Sequence, residues 1–195
     1  MKINDRIERI KTKGHYKIID IDNGEVIAQR LISGGTSDNI IKLRDFGGYK
    51  FINEKENSIE YFDGDYNFLS NFYEHEVFYE GKLYPTNEHA FQAAKTLNEN
   101  EKEKIRKSKT ASRAKFLGRK VKLRDDWEDV KIQIMYDICL EKFKNEDLKE
   151  KLLNTGDKML VEGNTWGDDF WGKFSEKGLN HLGEILMKVR NELRQ

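Results

Sequence analysis

Several features that proteins often have are missing from this chain of 195 residues. A single cysteine, Cys139, excludes an internal disulfide, and the four histidines are scattered without the spacing of metal ligands. No apolar run approaches the roughly 20 residues that a membrane-spanning helix needs. The first 17 residues are charged throughout and lack the apolar stretch of a signal peptide. We therefore expect a cytoplasmic protein that has no membrane partner and whose site uses neither a metal nor a cofactor.

An excess of charge of either sign is missing as well. The sequence holds 35 Lys and Arg against 35 Asp and Glu, so the whole molecule has no net attraction for nucleic acid or anionic membranes. Hydrophobic residues make up 37% of the chain, but 11 Phe, 8 Tyr and 3 Trp supply enough bulk for a core. The composition predicts one folded domain, or one domain with a small appendage.

Residues 1–57 are predicted to form a small β-rich extension. The segment 15–33 has the pattern of two strands joined by a turn at 22–24, and the isoleucines at 3, 7 and 10 have the spacing of a short basic helix. The polar segment 53–58 marks the boundary with a second domain over 58–195. The extension holds six Lys and Arg against two acids in its first 17 residues. This composition fits an arm that docks DNA or a partner, and equally an edge extension that completes the core sheet.

The second domain is predicted to be α+β and mainly helical, with short antiparallel strands and hairpins. Strands are expected at "SIEYF" and at "HEVFYEGKLY", the latter a hairpin that turns at Glu80-Gly81. Helices are expected from about Asn87, from near Asp125 with an apolar stripe at helical spacing, and at the C-terminus over 182–193. A further short helix has Asn145 as its N-cap and stops at Gly156.

The stretch "YPTNEHAFQAAK" is the first candidate for chemistry. Glu88, Gln92 and Lys95 stand at positions i, i+4 and i+7, which lie within about 40° of one another on a helix because each residue turns by about 100°. Ala90, Ala94 and Leu97 are expected to form the buried side of the same helix. The pattern fits a catalytic face, and it also fits an ordinary amphipathic helix with a wet polar side.

Glu88 and Lys95 are the two residues of this helix whose side chains suit a role in catalysis. In the first turn, the partial positive charge of the helix N-terminus is expected to lower the pKa of Glu88. The carboxylate then suits stabilisation of a cationic transition state, or general-base catalysis if burial offsets that shift. Lys95 is a nucleophile only if its surroundings lower the pKa of its amine.

The segment "EGNTWGDDFWG", over 162–172, is the second candidate. Two tryptophans, a phenylalanine, three glycines and three acids follow a predicted strand. Aromatic rings among small residues suit stacking against a base or a sugar, and Asp168 or Asp169 suits ribose hydroxyls or activation of water. The alternative is a loop whose tryptophans fill the core while its acids face solvent.

Two weaker patterns complete the set. The run 102–124 holds eleven Lys and Arg against one acid, Glu103, and so offers charge to phosphates, although a solvated helix and loop explain it equally well. In "FLSNFY", the amide of Asn71 suits a hydrogen bond to a ligand, although Ser70-Asn71 between aromatic residues is also an ordinary turn.

Taken in order, the motifs "FLSNFY", "YPTNEHAFQAAK", "AKFLGR", "RDDW", "LVEGNTWGDDFWG" and "GLNHLGEILMKVR" resemble the NADAR (YbiA-like) family. The resemblance runs from about Ile59 to Arg194 and leaves the first 57 residues outside. It implies an α+β N-glycosidase that acts on substrates containing ribose and needs no cofactor.

The resemblance also implies a set of site residues. The catalytic residues implied are Glu88 and Lys95, with Asp168 assisting. The residues implied to bind substrate are Asn71, Phe72, His89, Gln92, Lys115, Arg119, Trp127, Glu162, Asn164, Trp166 and Trp171. Within this set, Trp166 and Trp171 would enclose the base or sugar, and the basic run, with Lys115 and Arg119, would hold phosphates.

Two activities are associated with the family, and both stay open for this chain. The first is removal of ADP-ribose from guanine in nucleic acid, which would make DNA a partner and the protein an antitoxin to a cognate DNA ADP-ribosyltransferase. The second is hydrolysis of phosphoribosylamino-pyrimidine intermediates of riboflavin synthesis. A third hypothesis, from another class, is a module that binds ADP-ribose or NAD without cleaving it.

Overall fold

A computed structural model divides the chain into two compact units, Met1–Ser58 and Ile59–Gln195. It describes residues 6–9, 15–22, 25–32, 35–43, 49–52, 57–174 and 177–194. The first unit is built from strands, and the second is built mainly from helices.

The first unit contains an antiparallel sheet of five strands. These are β1 (Arg6–Arg9), β2 (His15–Asp22), β3 (Glu25–Ile32), β4 (Gly35–Leu43) and β5 (Tyr49–Ile52), and they lie in the order β4-β3-β2-β1-β5. Tyr16, Ile18 and Ala28 are buried, and Ile18 lies directly opposite Ala28 on the neighbouring strand. The β-rich extension and the two strands around residues 22–24 are confirmed, while residues 23 and 24 themselves lie outside the described residues.

The short basic helix predicted from the isoleucines at 3, 7 and 10 is wrong. Arg6–Arg9 is a strand that pairs with β2 on one side and β5 on the other, so that Ile7 lies opposite both Tyr16 and Phe51. A helix this short is marginal in water. A position between two strands, by contrast, satisfies the backbone groups on both edges of the segment. Residues 3 and 10 lie outside the described residues.

The second unit combines six α-helices with short strands in its described part. The helices are α1 (Asn87–Ala93), α2 (Glu99–Arg106), α3 (Ala111–Gly118), α4 (Trp127–Lys142), α5 (Glu146–Asn154) and α6 (His181–Glu192), preceded by a 3₁₀ helix at Gly64–Leu69. The strands are β6 (Ser58–Ile59), β7 (Val77–Tyr79), β8 (Lys82–Tyr84), β9 (Met159–Leu160), β10 (Gly163–Asn164) and β11 (Lys173–Phe174). The predicted α+β class is confirmed, although the strand expected at "SIEYF" is only two residues long. Of the helices described, none is long and apolar enough to cross a membrane.

Local turn and cap signals are confirmed where the chain carries them. The hairpin of β7 and β8 turns at Glu80 and Gly81, which both have positive φ angles, of 46° and 76°. The side chain of Asn145 accepts a hydrogen bond from the backbone N–H of Leu148, as expected of an N-cap. Gly156 has a φ of 62° and follows the last turn of α5.

The core of the second unit surrounds α4. This helix packs against α1 and α6, and its apolar stripe is buried at Ile134, Ile138 and Cys139. Burial raises the pKa of the Cys139 thiol to about 12. The side-chain amide of Asn87, the first residue of α1, lies 3.7 Å from that sulfur and so joins α1 to α4.

Helix α1 is buried on every side, which overturns the expected two-sided helix. All seven residues from Asn87 to Ala93 are buried, because α2, α3 and α4 all pack around this helix. Leu97, which was expected on the buried side, is 66% exposed. The Glu88 and Gln92 side chains therefore lie in the interior of the unit and not on a wet surface.

Candidate active site

A cavity of about 630 Å³ lies against α1 in the second unit. Its walls come from the turn at 70–72, from α1 and α3, and from the loop that follows β9. Eleven of the predicted site residues line it: Asn71, Phe72, Glu88, Gln92, Lys95, Lys115, Arg119, Glu162, Trp166, Asp168 and Trp171. The fold thus brings together residues that are up to 100 positions apart in the sequence.

Glu88 lies at the floor of the cavity near the start of α1. The backbone N–H of Glu88 donates a hydrogen bond of 3.0 Å to the Asn71 carbonyl, and its carboxylate accepts one of 2.8 Å from the Gln92 amide. Burial raises the pKa of Glu88, and the hydrogen bond from Gln92 and the nearby charges of Lys115 and Lys95 only partly oppose this effect. The expected lowering by the helix N-terminus is therefore wrong, because loss of water around the carboxylate outweighs it.

Lys95 reaches the same cavity from just beyond the end of α1. The helix ends at Ala93, and the backbone N–H of Lys95 bonds to the Gln92 carbonyl three residues back, as in a 3₁₀ turn. The Lys95 amine lies 5.7 Å from the centre of the Phe91 ring and 5.8 Å from that of Trp127. Burial lowers the pKa of Lys95, and the nearby cations act in the same direction. The condition set for a nucleophilic lysine is thus met.

Glu88 and Lys95 form an acid and amine pair whose pKa values move towards each other. Burial raises the pKa of Glu88 and lowers that of Lys95, while the attraction between them opposes both shifts. Each group therefore gives up its charge more easily than it would in water. Such a pair can exchange a proton with a substrate more readily than the same two groups could in water.

The loop after β9 supplies two further carboxyl groups. Asn164 fixes the position of Asp168 by bonding both its backbone carbonyl, at 2.6 Å, and its N–H, at 3.0 Å. The Asp168 carboxylate accepts a hydrogen bond of 2.9 Å from the backbone N–H of Trp171. The carboxylate is therefore held at the cavity wall by contacts within its own loop.

Glu162 is the other of these two acids, and it is partly buried. Burial, together with the negative charge of Asp168, raises the pKa of Glu162 to about 7. Its Oε2 atom is buried and has no hydrogen-bond partner among the described residues. Gly172 packs so closely that an added Cβ would lie 2.1 Å from the Glu162 carbonyl oxygen. An unpaired polar oxygen at the wall of a cavity suits a hydroxyl or N–H group of a ligand.

Helix α3 presents one face to the cavity. Ser112, Lys115, Phe116 and Arg119 all line it, and their spacing of i, i+3, i+4 and i+7 is that of one helical face. Six lining residues were not predicted from the sequence: Ser70, Phe91, Ser112, Phe116, Met135 and Leu182. The helical spacing within the basic run would have identified Ser112 and Phe116.

Helix α3 can approach α1 closely because residue 118 is a glycine. A Cβ at this position would lie 2.0 Å from the Gln92 Oε1 atom and 2.8 Å from its Cβ atom. Gly118 thus leaves room for the side chain that bonds the Glu88 carboxylate. Gly118 does not line the cavity itself, but a larger residue at this position would displace Gln92.

The two tryptophans of the loop have different environments. Trp171 is partly buried and packs edge-on against Phe91, with ring centres 5.1 Å apart. Trp166 is 64% exposed at the mouth of the cavity. The Lys115 amine lies 5.6 Å from the Phe72 ring and 6.0 Å from the Trp166 ring, so a cation stands among the aromatic groups at the rim.

Three predicted substrate-binding residues do not line this cavity. Trp127 is buried behind Phe91, where its ring faces the Lys95 amine. Asn164 acts on the loop backbone, and His89 lies in the wall of a neighbouring cavity. Asn164 and Trp127 therefore position other residues of the site.

Four of the eleven basic residues of the run are neutralised locally. Lys102 pairs with Glu80 and Glu99, and both Arg106 and Lys107 pair with Glu103. Arg124 forms a two-point ion pair with Asp126. Lys115 and Arg119 instead face the cavity, and no acidic partner lies within ion-pair distance of either in the part of the chain that the structure describes. Of the eleven basic residues, Lys115 and Arg119 are the two that line the cavity and can reach a ligand there.

Lys142 is a buried cation that no sequence pattern singled out. Its amine donates a hydrogen bond of 2.9 Å to the Ser70 carbonyl and lies 5.2 Å from the centre of the Tyr73 ring. Burial lowers the pKa of Lys142 to about 7. The bond to Ser70 anchors the turn that carries Asn71 and Phe72 into the cavity.

The histidines are distributed over several sites. The two rings of His181 and Phe170 pack with their centres 4.5 Å apart, and His89 is held by hydrogen bonds of its own. Across the described ranges, no group of three or more His, Cys, Asp or Glu is arranged to hold a metal ion.

Comparison with known proteins shows which family the chain is similar to. A family model described as NADAR domain matches residues 51–194. An N-glycosidase of Nostoc punctiforme is 42% identical over 136 residues, which are 66% of this chain and 86% of that protein. A riboflavin biosynthesis protein of Vibrio vulnificus is 38% identical over 149 residues, or 73% of this chain and 40% of that protein. The NMR structure of Escherichia coli YbiA has a TM-score of 0.63 and 37% identity, and the match covers 71% of this chain and 86% of that one.

Proposed function

The chain belongs to the NADAR domain family and is a hydrolase of N-glycosyl bonds, and from this premise we propose that it cleaves the bond between a ribose and a base. The preferred substrate in this proposal is guanine in nucleic acid that carries ADP-ribose. The observation that carries the proposal is that the buried Glu88 and the half-buried Lys95 line one cavity.

The charges around that pair suit the transition state of N-glycoside cleavage. As the bond to the base breaks, the ribose develops positive charge on C1′ and on the ring oxygen, and a nearby carboxylate stabilises it. The cavity lining offers three carboxyl groups, those of Glu88, Glu162 and Asp168. Glu88 lines this cavity together with Lys95, and the charges of the two groups act on each other.

In the proposed mechanism Lys95 attacks the sugar. The neutral amine forms a bond to C1′ while the electron pair of the bond between C1′ and the base leaves with the base nitrogen. Glu88 takes the proton from the amine and passes it to that nitrogen. The sugar ring then opens to give an imine with Lys95, and the ring oxygen takes up the remaining amine proton. Addition of water to the imine releases the sugar as an aldehyde and restores the amine.

A second route uses the same residues without a covalent step. Here Glu88 or Asp168 activates a water molecule that attacks C1′ directly, and Lys95 only positions the sugar. The lowered pKa of Lys95 favours the covalent route, because a larger fraction of the amine is then neutral and nucleophilic.

The residues at the rim of the cavity favour a ligand that is larger than one nucleotide. Phe72, Phe116 and Trp166 are all exposed there, and a cation stands close to each of them. Exposed aromatic rings next to basic side chains are typical of surfaces that bind unpaired bases and phosphates. This feature favours modified guanine in nucleic acid over a free small molecule.

The name of the Vibrio relative favours a second candidate substrate. That protein is called a riboflavin biosynthesis protein, and a phosphoribosylamino-pyrimidine intermediate of that synthesis also joins ribose to a base through nitrogen. Lys115 and Arg119 would hold its single phosphate. A module that only binds ADP-ribose is less well supported, because binding alone does not require an acid and an amine in the same cavity.

The test compares these substrates in one assay. DNA with ADP-ribosylated guanine and the phosphoribosylamino-pyrimidine are incubated separately with the protein, and the released sugar and base are measured by mass spectrometry. We expect faster release from DNA and a steep fall of kcat/KM with salt, because phosphate contacts release counterions. Faster cleavage of the pyrimidine, with little salt dependence, would favour the second candidate. Absence of cleavage in both reactions would reject the hydrolase mechanism.

A further inference from the structure

A second cavity of about 470 Å³ lies beside the active site. Its walls come from residues 72–76, from 85–89 at the start of α1, and from 109–112 at the start of α3. The two cavities share two wall residues, Phe72 and Ser112. Phe72 and Ser112 therefore mark the place where the two cavities adjoin.

The inner wall of the second cavity is fixed by hydrogen bonds. The two ring nitrogens of His89 lie 2.8 Å from the Thr86 hydroxyl and 3.1 Å from the Ser108 carbonyl. The Thr110 hydroxyl accepts a bond of 3.1 Å from the backbone N–H of Arg113. With these polar groups already engaged, the wall is preformed and needs little rearrangement to receive a ligand.

The charges of this cavity disfavour a phosphate as its occupant. Glu74 and Glu76 line it and are exposed, whereas Lys109 is its single lysine or arginine. The pKa of His75 is lowered, mainly by burial and then by the charge of Lys142, against the opposing charge of Glu76, so the neutral ring is favoured. Two carboxylates beside a neutral imidazole suit a neutral ligand with N–H groups, because the carboxylate oxygens can accept hydrogen bonds from these groups.

Aromatic surface is available in the same place. Phe72 is 39% exposed, and its ring belongs to the wall between the cavities. Pro85 and Ala111 add apolar surface. A flat ring that stacks on Phe72 and presents an amino group to Glu74 or Glu76 would use both properties of the cavity.

We propose that the second cavity binds an amino-bearing nucleobase, such as adenine, at the far end of a substrate whose ribosyl group occupies the active site. The phosphates that connect the two ends would cross the boundary at Phe72 and Ser112, between Lys109 on one side and Lys115 on the other. This inference rests on the proposed function and narrows it to ligands with two nucleoside-like ends joined by phosphates. It also gives a role to His89, which lies in the second cavity and not in the first.

The test measures binding, so that it does not depend on cleavage. Titration calorimetry compares ADP-ribose with ribose 5-phosphate, which lacks the adenosine end, on the wild-type protein and on two variants. His75→Ala and the double variant Glu74→Gln/Glu76→Gln change residues that line only the second cavity. Glu150→Gln is the matched control, because Glu150 is exposed on α5 and lines neither cavity.

The expected result is a preference for ADP-ribose that depends on the second cavity. The wild-type protein and Glu150→Gln should bind ADP-ribose at least about tenfold more tightly than ribose 5-phosphate. Each of the two cavity variants should lose most of that preference while binding ribose 5-phosphate unchanged. Equal affinity for the two ligands in the wild type, or an unchanged preference in both cavity variants, would overturn the inference.

The outcome is separate from that of the proposed function. Cleavage of ADP-ribosylated guanine without a preference for ADP-ribose would reject the second subsite and retain the hydrolase. A preference that depends on His75 and on the pair Glu74 and Glu76, together with no cleavage of either substrate, would retain the subsite and reject the catalytic proposal.

Discussion

The side-chain amide of Gln92 donates a hydrogen bond of 2.8 Å to the Glu88 carboxylate, one turn earlier on α1, and both side chains are buried. A single bond from a neutral amide fixes the orientation of the carboxylate without cancelling its charge. Because burial raises the pKa of Glu88, the group remains able to take up and release a proton. This relationship underlies the first prediction.

Replacing Glu88 by glutamine should abolish most of the activity and leave the fold intact. The new amide oxygen can still accept the hydrogen bond from Gln92, but the side chain can neither carry a proton nor stabilise positive charge on the ribose. We expect kcat to fall by about 10² to 10⁴-fold. The free energy of unfolding should stay equal or rise, because a buried carboxyl group is removed. Single-turnover cleavage and urea denaturation measure the two effects, with Glu150→Gln as the control. Cleavage at the wild-type rate by Glu88→Gln would exclude Glu88 from the chemistry.

Lys95 should become covalently attached to the sugar during turnover. Borohydride added to a reacting mixture reduces an imine to a stable amine, so the protein should gain the mass of the opened sugar at Lys95. Lys95→Met should give no adduct and almost no turnover. Lys115→Met should still give the adduct at saturating substrate, because Lys115 is proposed to bind phosphate and not to attack C1′. Intact-protein mass spectrometry followed by peptide mapping detects the product.

An active wild-type enzyme that gives no adduct would support the direct attack of water. An adduct located on a lysine other than Lys95 would contradict the assignment of the nucleophile.

Glu162 should make stability depend on pH. Its pKa is raised from an ordinary value of 4.5 to about 7, so between these values the folded protein holds more protons than the unfolded chain. The contribution of this group to the free energy of unfolding therefore falls as the pH rises from 4.5 to 7 and is constant above 7. Glu162→Gln should thus gain stability relative to the wild type over this range, by up to about 3 kcal/mol. Urea denaturation at pH 5 and pH 8 measures the gain, and an equal difference at the two values would contradict the prediction.

Gly118 should prove necessary for both packing and activity. In Gly118→Ala the new methyl group would lie 2.0 Å from the Gln92 Oε1 atom, so Gln92 must move and its bond to Glu88 is lost or strained. We expect a loss of about 1 to 3 kcal/mol in stability and a lower kcat. Gly156→Ala is the control, because nothing lies within 4 Å of its added Cβ although its φ is 62°. It should lose stability and keep the wild-type kcat, and similar kinetics for the two variants would disprove the steric argument.

The features that the sequence predicted correctly depend on local interactions. Asn145 caps α5 and Gly156 ends it because each acts on backbone groups a few residues away. The turn at Glu80 and Gly81 is equally local. The short strand at Arg6–Arg9 was mistaken for a helix because its conformation is decided by pairing with β2 and β5, which lie further along the sequence.

The candidate site was predictable only where its residues share one element. Glu88 and Gln92 follow from helical spacing, and Ser112 and Phe116 could have been found in the same way. Met135 and Leu182 reach the cavity from α4 and α6, and no local pattern connects them to α1. The direction of the Glu88 pKa shift was also missed, because it depends on how α2, α3 and α4 enclose α1.

The reactivity of the buried Cys139 thiol can be used to follow opening of the core around it. It is the single cysteine of the chain, it is fully enclosed, and its pKa of about 12 keeps it protonated and unreactive while the core is closed. Asn87 connects this sulfur to the helix that carries Glu88, so separation of α1 from α4 would expose both. The rate of alkylation by a thiol reagent therefore measures how often the floor of the active site opens. A ligand that holds the floor closed would slow this reaction in proportion to its occupancy, without any added label.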